Sequence, residues 1–569
     1  MTVLRDDRAP AAAPLILSGG PIYTADANAN IAEALAIVGD RILAVGDRQS
    51  VAARAGPGAR TIDLAGRCAV PGFIDGHAHM DREGLKSVWP SLAGVQSIDD
   101  LLRRIASLAE KAAPGDWIVT MPIGDPPHYH KVPALLKEGR YPTRWDLDRA
   151  APRNPVYIRP IWGYWRYEPP LVSIANSLAL ALAGIDASTP PPSPEVTIER
   201  DPGTGEPTGV FIEHTDMSAV ELTLMAAAPH FSLSQRIDGL ARSMSLYNQL
   251  GTTGVFEGHG VAPETIAAYQ ALHGTARQTV RATLAFSPSW SGCGADAAPR
   301  MLRDWGRWLA GRGFGDDWLR VQGIFAEKGG DPRHEPRAAA LPQTGWAGFC
   351  YDAALPRDAL REVLLEAARN RIRVSTIRSE IVDLYHEVHR HVPIDGQRWV
   401  WVHIGELSRD RIRLAKELGL VLTTHTNRHI WNEGGRHLDR LGAEGAERIV
   451  PLRDLLDDGV SVAFGSDNVP PSLLHPIYHA VARRDRTGRV IAEGQKLTRQ
   501  EALRCASAGG AYLAGVEHAL GSLEPGKLAD VTVLSDDLMT VPEDEIPFLV
   551  ADLTIVGGRI VWQRTVARE

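Results

Sequence analysis

Cysteine is scarce in this chain of 569 residues, which has only four. Cys68, Cys293, Cys350 and Cys505 lie far apart, with no Cys-x-x-Cys pair. That spacing argues against a disulfide framework or a thiolate metal site and reads as four small apolar side chains in the interior. Long apolar runs are missing too. No stretch approaches the ~18 residues of a membrane span. The N-terminal apolar segment is short, broken by Pro10 and Pro14 and preceded by Arg5, Asp6, Asp7 and Arg8. Neither an anchor nor a signal peptide is read there, so a soluble cytoplasmic protein is expected. No block of lysine and arginine occurs. With 61 basic against 69 acidic residues and a formal net charge of −8, nucleic acid and anionic membrane are disfavoured as main partners. Short-period repeats and low-complexity tracts are absent as well.

What is present is a large apolar complement, 44% of residues, in a chain longer than the ~250 residues of an ordinary (β/α)8 barrel. Insertions or a second domain are therefore required. Residues 15–17, 34–38, 41–45 and 61–64 read as short strands separated by Gly-rich turns. Matching strands occur at the other end, at Val531–Leu534, Ala551–Val556 and Arg559–Gln563. Residues 1–70 and 520–569 are thus expected to build one composite β-sandwich domain. Between them, apolar strands near 253–257, 280–286, 320–327, 372–377, 399–404, 420–424 and 461–465 alternate with helices near 233–250, 357–370, 408–418 and 499–515. That alternation predicts a parallel sheet closed into a barrel over 71–519. Residues 82–235 interrupt it as an inserted lid or cap. The cap holds an amphipathic helix over 95–112, a Pro-rich loop with His128 and His130, and the aromatics Trp162, Tyr164, Trp165 and Tyr167.

Residues 69–80 read Ala-Val-Pro-Gly-Phe-Ile-Asp-Gly-His-Ala-His-Met. In an extended strand, residues two apart face the same side, so His77 and His79 can converge on one point. Neutral imidazole is the commonest metal ligand in proteins. The Pro71-Gly72-Phe73-Ile74-Asp75-Gly76 lead-in resembles the first-strand metal motif of the amidohydrolase superfamily. Asn176-Ser177-Leu178-Ala179-Leu180 and the turn at 201–209 resemble elements of its amidohydrolase-3 branch, which includes N-substituted formamide deformylase-like enzymes. Gly521-Ser-Leu-Glu-Pro-Gly-Lys-Leu-Ala-Asp530 resembles the superfamily's return into the terminal strands.

The resemblance implies a metal-dependent (β/α)8 TIM barrel with catalytic groups at the C-terminal strand ends. His403 follows the apolar run Trp399-Val-Trp-Val402. Asp467 ends Gly465-Ser466-Asp467, similar to the family's final-strand motif, whose aspartate binds metal and shuttles protons. Many members bridge two metals with a carboxylated lysine. Lys328 is the candidate for it here, with Glu327 as runner-up. The family's strand-five histidine is replaced by Ser375. Either the site is mononuclear or another group, His425 first, substitutes. Trp165, Glu257, His259, His425 and His429 are candidate substrate contacts.

The metal ligands expected from the resemblance are therefore His77, His79, Lys328, His403 and Asp467. The ion is expected to be divalent, zinc first, with one or two bound. The expected reaction is hydrolysis of a non-peptide C–N bond in an amide, formamide or cyclic amide. An ester, lactone or carbamate would suit the same site. Ser375 also leaves open a non-catalytic scaffold that has lost a ligand. Family habit suggests a homodimer acting on a small molecule.

Overall fold

The computed structural model describes residues 13–565, apart from 127, 128, 130, 164–169, 291, 292, 294–296 and 333. Eight strands carry the central sheet: β1 (Phe73–Asp75), β2 (Thr252–Val261), β3 (Arg281–Phe286), β4 (Leu319–Phe325), β5 (Val374–Thr376), β6 (Val400–Ile404), β7 (Val421–Thr424) and β8 (Ser461–Ala463). They pair in parallel and in chain order. Helices outside and side chains inside cover both faces, so the strands are apolar on each side; every residue of β2 is buried. The seam between β1 and β8 is closed just beyond the strand ends. Gly76 N donates to Phe464 O at 2.7 Å, and Asp467 N to His77 O at 2.9 Å.

The helices between strands follow the apolar periodicity. In Arg357–Arg369, Leu360, Val363, Leu364 and Ala367 turn inward at helical spacing. Leu233–Gln249 starts at a capping box in which Ser232 and Gln235 satisfy each other's backbone N–H. The helix read over 499–515 is two helices, Arg499–Ala506 and Ala508–Ala514. The break falls at Ser507, whose hydroxyl donates back to Leu503 O at 2.7 Å.

Strands from both chain ends form one eight-stranded mixed sheet. Ala69–Pro71 lies between Leu15–Tyr23 and Val531–Leu534, so the chain passes from this sheet directly into β1. Arg281 on β3 ties it to the barrel, donating to both carboxylate oxygens of Asp530 at 2.8 and 3.0 Å. The insertion after β1 has a five-stranded sheet of its own (Ile118–Thr120, Val156–Ile158, Leu171–Ala175, Val196–Arg200 and Pro207–Glu213). Its helix Ile98–Ala109 buries Leu101 and Ile105 with Leu147 and Val156 in a separate apolar core. Among the described residues, no helix is long and apolar enough to cross a membrane.

Candidate metal centre

The C-terminal ends of β1 and β8 are locked together by Asp75. Its carboxylate accepts from Ser466 N at 3.0 Å, Ser466 Oγ at 2.5 Å and His77 N at 3.0 Å. Burial pushes the Asp75 carboxyl up to about 7, against the hydrogen bonds from Ser466 and His77 that favour its ionised form. Asn468 does for His79 what Asp75 does for His77. Its Oδ1 accepts from His79 N at 2.8 Å, and its Nδ2 donates to His79 O at 2.9 Å. His403, Asp467 and Asn468 all adopt left-handed backbone, at φ 64°, 53° and 58°. Such conformations persist where surrounding contacts over-determine them, and they concentrate at functional sites.

Four imidazoles converge on the Asp467 carboxylate. His79 Nε2 lies 2.8 Å from Oδ1, His77 Nε2 3.4 Å and His403 Nε2 3.6 Å from the same oxygen. His425 Nε2 lies 3.2 Å from Oδ2. His259, at the end of β2, approaches from another side, its ring 5.7 Å from His79 and 6.2 Å from His77. His77, His79 and His259 bring ligand atoms within 4.8 Å of one another, as do His77, His403 and Asp467.

A metal ion fits this set. Both ring nitrogens of His77 and of His425, His79 Nδ1 and His403 Nε2 are buried and have no hydrogen-bond partner among the described residues. Orphaned buried nitrogens are costly unless something binds them. Burial pushes His77 down to about 4, and holds His79, His259 and His425 well below the ordinary imidazole range. Those rings are neutral, the ligating form. Burial works to raise the Asp467 carboxyl, but His425 and then His403 outweigh it and hold it well below the usual carboxylate range. One ionised oxygen donor among neutral imidazoles suits a borderline divalent ion.

The other residues expected at the site divide. His425 and His429 line a cavity of ≈ 180 Å³ with His79, His259, His403 and Asp467. Glu257 does not reach that cavity. It is buried behind His79, with Oε2 4.0 Å from His79 Nδ1 and Oε1 accepting from Tyr269 OH at 2.7 Å and Asp81 N at 3.2 Å. It faces the far nitrogen of His79 across a gap too long for a hydrogen bond and stands away from the cavity walls.

Lys328 also departs from expectation. β4 stops at Phe325, and Glu327–Lys328 pairs instead with Ala354–Leu355. Alternation along that short strand turns Glu327 inward, where it accepts from Arg378 at 3.0 Å, and leaves Lys328 exposed. Trp165, Tyr164, Tyr167, His128 and His130 lie outside the described residues. Asp75 and Asn468 were missed as site residues, although each adjoins a recognised motif.

His259, Ile377 and Arg378 also line a second, neighbouring chamber of ≈ 210 Å³. Phe325, Phe349, Tyr351 and Met217 give it an apolar wall, and Asp216, Glu327, His334 and Arg378 a polar one. Met217 and Trp162 come from the insertion, so that segment closes both chambers.

The sequence pattern of the amidohydrolase family designated Amidohydro_3 matches residues 60–562. The chain is 27% identical to an N-substituted formamide deformylase of Arthrobacter pascens over 99% of this chain and 100% of that protein. It is 26% identical to the protein LONG AFTER FAR-RED 3 of Arabidopsis thaliana over 96% and 91% of the two chains. A solved structure of an uncharacterised metal-dependent hydrolase from Pyrococcus horikoshii superposes with a TM-score of 0.65 at 20% identity, covering 93% of this chain and 99% of the other.

Proposed function

Because the chain belongs to the amidohydrolase family, we propose that it hydrolyses a non-peptide carbon–nitrogen bond in a small amide, formamide or cyclic amide. The observation that carries this reading is the convergence of His77, His79, His403 and His425 on Asp467, with buried ring nitrogens left unbonded. His77, His79 and Asp467 would hold the metal, zinc first among borderline ions, with His403 and His425 beside them. His259 enters from β2 and takes the place of the histidine that Ser375 does not supply. When bound, the ion lowers the pKa of water and polarises the substrate carbonyl.

The chain's own groups do the rest. Asp467 accepts a proton on its carboxylate and returns it to the departing amine. Glu257 places a carboxylate behind His79, 4.0 Å from its far ring nitrogen, and the insertion contributes walls to both chambers. Phe325, Phe349 and Tyr351 offer a stacking wall to an aryl substituent on the amine side, with Asp216, Glu327 and Arg378 leaving room for a polar group on that ring. The smaller cavity takes a compact acyl group. The similarity to a protein named N-substituted formamide deformylase supports that division. The same reading takes the enzyme to be a cytoplasmic homodimer, which light scattering and fractionation test.

The deciding experiment supplies metal-loaded protein with N-aryl and N-alkyl formamides and the matching formate esters. Amine release from the formamides supports the proposal. Turnover of the esters alone would make it a C–O hydrolase, and turnover of neither, with metal bound, would leave a binding scaffold.

A further inference from the structure

Beyond β7 the chain carries His429, Glu433 and His437 at four-residue intervals. The segment Asn427–Asn432 is a π-turn leading into the helix Gly434–Ala446. Its wider winding is closed by Glu433 N donating to Arg428 O at 2.8 Å, and it brings His429 over Glu433. One further helical turn brings His437 to the other side of the same carboxylate, where His437 N donates to Glu433 O at 3.0 Å. π-turns of this kind are rare and concentrate at functional sites.

The three side chains share one point. Glu433 Oε2 lies 3.9 Å from His429 Nδ1 and 3.6 Å from His437 Nε2. Both contacts are too long for hydrogen bonds. Neither His429 Nδ1 nor His437 Nε2 has another hydrogen-bond partner among the described residues, and both atoms are buried. Donors a little over 3 Å apart are what a tetrahedral ion with bonds of ~2.0–2.1 Å requires, and small side-chain rotations close the difference.

The carboxylate divides its work. Arg428 and Arg436 approach Oε1, at 3.3 and 3.5 Å, which leaves Oε2 to the imidazoles. Arg440 lies 3.4 Å from His437 Nδ1 but is held more closely by Glu406, at 2.8 Å, so it can yield that nitrogen's proton position. Burial pushes His429 down to about 3 and lowers His437, keeping both rings neutral and their lone pairs available.

We propose that His429, Glu433 and His437 form a second metal site, for one borderline divalent transition ion such as zinc, cobalt or nickel, at the rim of the central cavity. It is distinct from the centre on Asp467 and does not depend on the hydrolase reading. Two arginines close to its one carboxylate make it the weaker of the two. His429 is also a wall of the central cavity, with its ring 6.0 Å from that of His425. An ion at the rim therefore narrows the entrance, and excess metal inhibits.

The test is a zinc-binding isotherm on the full chain by equilibrium dialysis and elemental analysis, with Glu433→Gln and His437→Ala in parallel. Melting temperatures check that both variants fold. The expected result is a tight class of ion at the Asp467 centre and one further weak ion per chain, with the weak ion lost at least tenfold in affinity in both variants. The tight ion and the basal activity should be unchanged, and inhibition by excess zinc abolished. A weak ion that binds the folded variants as it binds the unsubstituted chain overturns the proposal, as does a single class of ion in the unsubstituted chain when that ion survives both substitutions. A chain with no tight ion, but with a weak ion lost in both variants, supports the rim site and sinks the hydrolase reading instead.

Discussion

Ser375 Oγ donates to the carbonyl of Gly258 at 2.8 Å, joining the middle of β5 to the end of β2 one residue before His259. The bond gives a physical account of a serine at the position where the family resemblance leads one to expect histidine. The hydroxyl is committed to that carbonyl and fixes the strand that carries His259. That strand end lies against the centre, since a Cβ added at Gly258 would stand 3.4 Å from His77 Nδ1.

Ser375→Ala should therefore cost more than a surface change. It leaves the Gly258 carbonyl without its side-chain donor, a loss of about 1–3 kcal/mol by urea unfolding. If His259 is a ligand, metal affinity falls with it. Unchanged affinity on a destabilised fold would separate Ser375 from the centre.

Asp467→Asn keeps the shape of the side chain and removes its ability to take a proton. Turnover should drop by roughly 10²–10⁴, with the circular dichroism spectrum retained. Activity within a few-fold of the unsubstituted enzyme would assign the proton transfer elsewhere.

The metal-free protein should show opposing pH dependences. His77 has its folded value lowered from 6.5 to about 4. Between those values the unfolded chain binds a proton that the folded chain refuses, so stability falls as pH drops. Asp75 is raised from 3.8 to about 7. Here the folded chain holds the extra proton, so this contribution is complete below the unfolded value and is lost as pH rises. The two slopes oppose each other between about pH 4 and 6.5. His79, His259 and His425 add to the histidine side, so the net effect is loss on acidification. Asp75→Asn removes the opposing slope, and its urea midpoint should fall more steeply from pH 6.5 to 4.5. A shallower fall would contradict this assignment.

Phe349 stacks on the His259 ring, with centroids 4.9 Å apart and planes inclined by 9°. Phe349→Ala should raise KM for a formamide with an aryl substituent by roughly tenfold, in line with the ~1–3 kcal/mol that a hydrophobic pocket contributes to discrimination. An N-methyl analogue should be barely affected. Equal losses on both would place the aryl group outside this chamber.

Legibility in the sequence followed the locality of the signal. The barrel strands were readable because each is a short apolar run bounded by turns, and His77, His79, His403 and Asp467 stand at or just beyond such ends. The direction of Lys328 was not legible: with β4 ending at Phe325, pleating aims Glu327 inward and its neighbour outward. The roles of Asp75 and Asn468 lie in bonds to residues distant in the chain. In the insertion the strand Val156–Ile158 was legible in the sequence, whereas Ile118–Thr120, only three residues long, is too short to display a period.

The bond between Ser466 and Asp75 joins residues 391 positions apart. Nearly the whole barrel must be synthesised before its last strand can dock on its first, and only then do His77 and Asp467 meet. Contacts of such sequence separation carry a high loop-closure cost, and folds rich in them fold slowly. A chain cut short before residue 466 lacks the second of these two ends, so His77 and Asp467 cannot be brought side by side in it.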